Sequence, residues 1–460
     1  MFINRVNELK WLEESYKKAS KEGQLLIIYG KRRVGKTELV KHFIKNKPHI
    51  YHVVEKGTAI DQLKTAAQVL TPPASFQNWR EMFKFLGDKL TGQKKPLVLV
   101  FDEFPYLVES DAAVPSYFQV GWDEYLKNKK VMVVLMGSSI AMMYKHALIK
   151  SSPLYGRRTG QWLLEPFSFA ETKKFYPETS FEKAFSLFAI TGGIPAYARV
   201  FDGGKNLREN IANFILPQGS FLSVEPELLL ADEFTDPRSF LTILKSIGLG
   251  RTKFSEIIQD TGIEATALPG YLKTLINLRL ISKEVPVTEP IPEKSKKGNY
   301  ALADPFLRFY FSFIFPNNSL IKNGEFEALF ARRGEVLTNL VAKSYEETAG
   351  EFVKQAMRDG KVPHFNQLGR WWERDAEIDL VGLNKEQNEI LFTEVKWSNK
   401  PIGTEILNEL KAKAPKVVWG DKNRREYFAL VSKGGFNPKL IEVAKNEGVY
   451  LFEEDHATEC

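Results

Sequence analysis

Two groups of residues, one towards each end of the chain, have the types and spacing to handle phosphate. The first is Gly30-Lys31-Arg32-Arg33-Val34-Gly35-Lys36-Thr37. A glycine at each end allows backbone angles that other residues resist. Successive N–H groups can then turn inward around anionic oxygens. In this pattern Lys36 reaches the β- and γ-phosphates of a nucleoside triphosphate, and Thr37 offers its hydroxyl to Mg²⁺. Lys31, Arg32, Arg33 and Val34 form the body of the loop, and Glu38 follows it. The second group is Asp379, within Glu377-Ile378-Asp379-Leu380-Val381, and Glu394-Val395-Lys396. Carboxylates are hard oxygen ligands suited to a divalent cation. Glu394 and Lys396 share a strand face because side chains alternate along a strand. The lysine can orient or deprotonate water and offset phosphate charge. Glu346, in a helical stretch upstream, is placed to complete that site. The expected chemistry is triphosphate binding at the first group and metal-assisted attack on a phosphodiester at the second. The plain alternative for the second is an exposed hairpin with paired charges.

Such side chains work only when regular elements hold them at their ends. Leu25–Tyr29 is an aliphatic run leading straight into Gly30, and a helix is expected to start near Lys36. Leu97–Phe101 is a second run, ending in Asp102-Glu103. An acid there reaches the Mg²⁺ held by Thr37, and Glu103 is placed to polarise the attacking water. Val131–Met136 is a third run, ending in Gly137-Ser138-Ser139, with Ser138 as a sensor of the γ-phosphate. Arg157 and Arg158 are candidates to touch that phosphate or a neighbouring subunit; a solvated basic turn accounts for them equally well.

The order of apolar runs divides the chain. Residues 1–170 alternate buried strands with helical patterns, which predicts a parallel sheet with crossover helices. Residues 171–235 read as a helical lid broken at Thr191-Gly192-Gly193-Ile194-Pro195. Residues 236–316 read as three helices followed by two strands, the pattern of a winged helix-turn-helix. That module either reads DNA or packs as a regulatory lid. Its third helix, Glu264–Leu278, is poor in basic groups, while its wing tip carries Lys294, Lys296 and Lys297. Residues 317–325 read as a linker, and residues 326–460 as a last α/β unit. The fold class expected is therefore α/β throughout, apart from the lid and the winged helix. Arg370, Arg374 and Lys400 make a possible phosphate-contacting rim, and Trp371 and Trp372 either stack on bases or fill core.

Bulk properties narrow the setting. A chain of 460 residues is too long for one core. A formal charge of +7 favours anionic partners without requiring them. The single cysteine is Cys460, which excludes a disulfide framework within the chain and fits a reducing cytoplasm. No apolar run reaches membrane-spanning length; Phe306–Phe315 is short and carries Arg308.

Phe2-Ile3-Asn4-Arg5 with Glu8-Leu9, the glycine-rich loop, Asp102-Glu103, Gly137-Ser138-Ser139, Tyr155-Gly156-Arg157 and Gly193-Ile194-Pro195 occur in one order. In that order they resemble the archaeal-type STAND ATPases, a branch of the AAA+-like P-loop switches. The resemblance implies that the box around Arg5 covers the adenine and that the element at Pro195 links the helical lid to the nucleotide. Asp304-Pro305-Phe306-Leu307-Arg308-Phe309 resembles the run that marks the DUF234-type C-terminal domain accompanying many of these ATPases. Glu377-Ile378-Asp379 and Glu394-Val395-Lys396 resemble the PD-(D/E)xK nuclease superfamily, which implies a restriction-endonuclease-like domain acting on DNA. Together these imply an ATP-hydrolysing switch that controls a tethered Mg²⁺-dependent nuclease. Protein partners or self-association through the ATPase domain are also implied. The alternatives are a regulatory ATPase whose C-terminal domain binds DNA or protein without cutting, and an ATP-dependent winged-helix regulator.

Overall fold

The computed structural model describes residues 2–72, 74–234, 236–295 and 297–458; Lys296 of the wing tip and Cys460 lie outside them. The chain folds into two compact units. The first comprises Met1–Phe175, Gly193–Val200 and Glu227–Asp236; the second comprises Tyr176–Gly192, Phe201–Pro226 and Pro237–Cys460.

In the first unit, β1 (Gln24–Tyr29), β2 (His49–Val53), β3 (Leu97–Asp102), β4 (Val131–Gly137) and β5 (Gly160–Leu163) form one sheet in the order β2-β3-β4-β1-β5. All its pairings are parallel. The aliphatic runs of β1, β3 and β4 are almost wholly buried, as strands covered on both faces must be. One face packs Leu25, Ile27, Leu99, Phe101, Val133 and Leu135 against Phe83, Trp79 and Phe118. This order puts β4 between β1 and β3, so the end of β4 lies between the glycine-rich loop and Asp102. Ligands of open α/β sheets bind at such carboxyl ends. The edge strand β5 was not foreseen. It is only half-buried and has no aliphatic run to announce it.

In the second unit, helices Arg238–Gly248, Phe254–Thr261 and Leu268–Asn277 precede the antiparallel pair β6 (Ile281–Glu284) and β7 (Asn299–Leu302). The third helix starts at Leu268 rather than Glu264, with Pro269 tolerated in its first turn. Asp304 then caps helix Pro305–Phe309 by accepting from the N–H groups of Phe306 and Leu307. Phe306, Phe309, Phe311 and Phe313 are buried, as expected of core. The expected linker at 317–325 is instead largely helical, Asn318–Lys322, and leads into the long helix Phe326–Arg358. A six-stranded sheet completes the unit, built from β8 (Gln367–Glu373), β9 (Ala376–Asn384), β10 (Glu389–Lys396), β11 (Arg425–Ser432), β12 (Tyr450–Glu453) and β13 (His456–Ala457), side by side in that order. The pairs β8–β9 and β9–β10 are antiparallel, while β10–β11 and β11–β12 are parallel. Helix Thr404–Lys413 packs Leu407 and Leu410 against Ile378, Ile390 and Phe392. Among the described residues, no helix is long and apolar enough to cross a membrane.

Candidate functional site

The glycine-rich loop leaves β1 and ends at helix Lys36–Ile44, with Gly35 as its N-cap at φ 100°. Gly30, at φ 153°, passes so close to Leu164 that a Cβ would sit 2.4 Å from its carbonyl oxygen. No other residue fits there without backbone movement. Lys36 is 6% exposed, and its Nζ donates to the carbonyls of Gly30 (2.9 Å) and Lys31 (3.0 Å). Burial pulls its pKa down to about 8, against the opposing charges of Glu103, Asp102 and Glu233. The ammonium is thus buried, with the carbonyl oxygens of Gly30 and Lys31 as its hydrogen-bond partners among the described residues, and an anionic phosphate there would be strongly favoured.

Thr37 Oγ1 donates to Asp102 Oδ2 at 2.9 Å, and the Tyr51 hydroxyl donates to the same oxygen. Asp102 Oδ1 is buried and has no hydrogen-bond partner. A buried orphan carboxylate oxygen beside a threonine hydroxyl fits a Mg²⁺ position, since unsatisfied buried acceptors are costly. Glu103 takes the left-handed φ of 60°, turning its side chain across the end of the sheet. Its Oε2 accepts from both the N–H (3.0 Å) and the hydroxyl (2.9 Å) of Ser138. The sheet order thus brings Lys36, Thr37, Asp102, Glu103 and Ser138 to one edge.

Arg5 is buried, also with positive φ (68°), and lies over the Phe167 ring at 4.0 Å. It donates to Glu8 (3.0 Å) and to the carbonyl of Val34 (2.9 Å). A small cavity of about 60 Å³ lies here, lined by Phe2, Arg5, Val34, Glu38, Phe167 and Pro195 among others. Gly193 allows its close approach to Phe167, whose N–H donates to the Gly193 carbonyl at 2.8 Å. Arg33 has φ 65° within the loop, and Arg32 pairs with Asp232 at 2.8 Å.

Arg157 is not where contact with a γ-phosphate bound to its own chain would need it. Gly160 of β5 is level with Leu26 of β1, and the Thr159 N–H donates to Leu25 O. Arg157 therefore lies beyond the amino end of the sheet, opposite the loop, where it pairs with Asp123 at 3.0 Å. It does not reach the phosphate site of its own chain. Sequence reasoning also missed Tyr51, Asp232 and Glu233. Glu233 ends helix Phe221–Glu233 and accepts from Ser139 Oγ, Ile140 N and Ala141 N at 3.1–3.2 Å. Burial pushes its pKa up.

At the second site, β9 and β10 bring Asp379 and Glu394 to the end of their antiparallel pair, just past Leu380↔Thr393. Both are buried, at 8% and 7% exposure. Asp379 Oδ2 accepts from Val395 N at 2.8 Å. Its pKa rises to about 6, first through burial and then through the charges of Glu394 and Glu346. Lys396 Nζ meets Glu394 at 2.8 Å. A second cation, Lys413 from helix Thr404–Lys413, meets Glu394 at 3.0 Å and had no sequence signal. Glu346 pairs with Lys343 at 3.4 Å and is near enough to act on Asp379 and Lys396. All four sequence-derived residues therefore share one neighbourhood. Among the described residues, no group of three or more His, Cys, Asp or Glu side chains is arranged to hold a metal ion. Asp379 and Glu394 are two adjacent buried carboxylates, and the charge of Glu394 adds to the cost of ionising Asp379. Trp371 is core, whereas Trp372 is half-buried.

The parallel sheet, the loop on the end of β1 and the acid on the end of β3 define a P-loop ATPase. Residues 2–199 match the family described as an ATPase domain predominantly from Archaea, and residues 310–414 match DUF234, archaeal and bacterial proteins of unknown function. The uncharacterized protein MJECL04 of Methanocaldococcus jannaschii is 34% identical over 98% of this chain and 99% of its own length. The uncharacterized ATP-binding protein MJ0423 of the same organism is 49% identical over 10% of this chain and 76% of its own. The Walker-type ATPase PABY2304 of Pyrococcus abyssi superposes with a TM-score of 0.50 at 22% identity, covering 67% of this chain and 96% of that one; this likeness is one of fold. The chain belongs to the family of archaeal ATPases that carry a DUF234-type region behind the ATPase domain.

Proposed function

We propose that this archaeal-type ATPase is a nucleotide switch of the STAND kind that controls a tethered, metal-dependent DNA nuclease. The observation that carries the nuclease half is the buried pair Asp379–Glu394 with Lys396 beside it. Two adjacent buried carboxylates, followed by a lysine on the same strand face, suit a phosphodiester site. Asp379 and Glu394 would hold Mg²⁺ or Mn²⁺, which when bound supplies Lewis-acid activation of water and phosphate. Lys396 would steady the attacking water, whose oxygen joins phosphorus and whose proton passes to solvent, while the P–O bond to one sugar breaks and the departing oxygen takes up a proton from solvent. Glu346 would complete the acidic wall from helix Phe326–Arg358.

In the ATPase half, Lys36 and the loop N–H groups would bind the triphosphate. Thr37 and Asp102 would hold Mg²⁺, Glu103 would polarise water, and the box around Arg5 would cover the base. Helix Phe221–Glu233 supports a switch role. Its last turn is fastened to the loop by Asp232–Arg32 and to the end of β4 by Glu233. Its first turns belong to the second unit. The three helices with the β6–β7 pair are read as a winged helix that acts with the nuclease domain.

The test is cleavage of linear, single-stranded and four-way DNA with Mg²⁺ or Mn²⁺, with and without ATP. Metal-dependent cutting should vanish in Asp379→Ala, and its dependence on ATP should vanish in Lys36→Ala. A second reading is favoured by the two lysines that already neutralise Glu394. In that reading the C-terminal domain binds DNA and does not cut it. Binding without cleavage in any metal would establish it.

A further inference from the structure

The second unit carries a groove of about 890 Å³ that the carboxylate site does not use. Its walls come from two places in the sequence. Lys253 and Phe254 open helix Phe254–Thr261, and Lys297 and Asn299 lead into β7. Across from them are Arg370, Trp372 and Arg374 of the β8–β9 hairpin. Glu373 at the end of β8, Asp375 of the turn and Glu377 of β9 also line it. Trp372 and Phe254 are half-buried, so each presents part of an aromatic face. The Arg370 guanidinium lies 5.9 Å from the Trp372 ring centre and pairs with Glu284 (3.2 Å) and Glu377 (3.5 Å). Its Nε is buried with no acceptor.

The groove points towards the carboxylates. Trp372 is directly opposite Glu377 in the β8–β9 ladder. Glu377 and Asp379 lie on the same face of β9, because side chains alternate. Crossing one strand spacing of about 5 Å and advancing about 7 Å along β9 leads from Trp372 to Asp379. Aromatic faces set among cations are the means by which proteins hold unpaired bases: stacking takes any base, and the cations follow the backbone. A duplex would hide its base faces from Trp372 and Phe254.

We propose that this groove seats a single-stranded stretch of nucleic acid, with a base stacked on Trp372 and the neighbouring backbone led past Arg370 to Asp379 and Glu394. The inference rests on the nucleic-acid reading of the C-terminal domain given above and does not require that the domain cuts. Lys253, Lys297 and Arg374, all exposed, would meet the phosphates. Arg370 would exchange Glu377 for the strand.

The test uses the full chain in EDTA, so that binding is read without cleavage. The probes are fluorescein-labelled oligothymidylate and a duplex of the same length, followed by anisotropy over a series of salt concentrations. Trp372→Ala should weaken oligothymidylate binding about tenfold, in keeping with the loss of one stacked base. Duplex binding should change much less, and Trp372→Phe should restore the affinity. Lys297→Glu with Arg374→Glu, both on the surface, should weaken binding and flatten the salt dependence by about 0.7 in log–log slope for each phosphate no longer neutralised. The surface pair carries the test if the tryptophan variant misfolds. Unchanged oligothymidylate affinity in the surface pair, or equal losses for duplex and single strand in Trp372→Ala, would overturn the groove as the seat. If the wild type binds through the groove but cuts in no metal, the seat stands and the nuclease reading fails.

Discussion

Replacing Asp379 by asparagine should make the protein more stable at neutral and alkaline pH. The side chain is buried beside Glu394, and its pKa stands at about 6 against an ordinary 3.8. The sign follows from which state holds the proton more tightly. The folded chain does so here, so ionising Asp379 costs the folded state more than the unfolded one. That cost is absent below about pH 4, grows as pH rises from 4 to 6, and is complete above 6. A displacement of about two pH units corresponds to about 3 kcal/mol. Asparagine is nearly the same size and keeps an oxygen to accept from Val395 N. It removes the charge that Glu394 and Glu346 oppose, and it gives up the weaker attraction to Lys396. Guanidinium unfolding of wild type and Asp379→Asn at pH 8 should therefore differ by about 2–3 kcal/mol in favour of the variant. The difference should close by about pH 4. Divalent cation adds a second reading: Mn²⁺ at about a hundred times its Kd should stabilise the wild type by about 2.7 kcal/mol and leave the variant almost unmoved. Equal or lower stability of the variant at pH 8 would show that the carboxylate is not disfavoured by its surroundings. The argument for a cation-seeking pair would then fail.

Three further outcomes concern the ATPase half. Glu103→Gln should keep nucleotide affinity within about twofold, because Lys36 and the loop are untouched, and should lower turnover by about 100-fold or more, as expected on losing a general base; isothermal titration and phosphate release separate the two. Asp232→Ala should change the unfolding free energy by less than about 1 kcal/mol, since both members of its pair with Arg32 are more than one-third exposed. Glu233→Ala should cost about 2 kcal/mol or more, since it strips acceptors from Ser139 Oγ and the N–H groups of Ile140 and Ala141. Thermal unfolding of the two variants side by side checks the ranking.

The legible parts of this chain are those written contiguously. The run Leu25–Tyr29 into Gly30, and the acid pair at the end of Leu97–Phe101, announce strand, loop and strand-end acid at once, because a doubly buried parallel strand must be aliphatic and must end in polar residues. Arg157 shows the limit of motif order. A basic turn close behind the Ser138 strand end says nothing about which end of the sheet it occupies, and only the register of β5 against β1 does. Tyr51, Glu233 and Lys413 reach their partners from other elements and carry no local pattern. The segment 317–325 reads as a linker because Asn317, Asn318 and Gly324 favour turns. In the fold they sit at or near the ends of a short helix, where such residues are also favoured.

The two sites share one electrostatic arrangement, and it explains how a resting chain can carry both. Each holds its key lysine on oxygens of the protein itself: Lys36 on the Gly30 and Lys31 carbonyls, and Lys396 with Lys413 on Glu394. A buried ammonium with no acceptor at all would be costly, so the partners present before ligand arrives must be ones that can be exchanged. Carbonyl dipoles are weaker partners for Lys36 than a triphosphate, so nucleotide can win that exchange outright. Glu394 is a full charge and a much stronger partner for Lys396 and Lys413. A lone phosphodiester, with one negative charge, cannot take both lysines without leaving Glu394 buried and bare. On the nuclease reading proposed above, a divalent cation on Asp379 and Glu394 would release the two lysines, and these would then be free for phosphate. The lysine of the first site would thus take its phosphate directly, whereas those of the second would take theirs only after a cation had replaced them on Glu394.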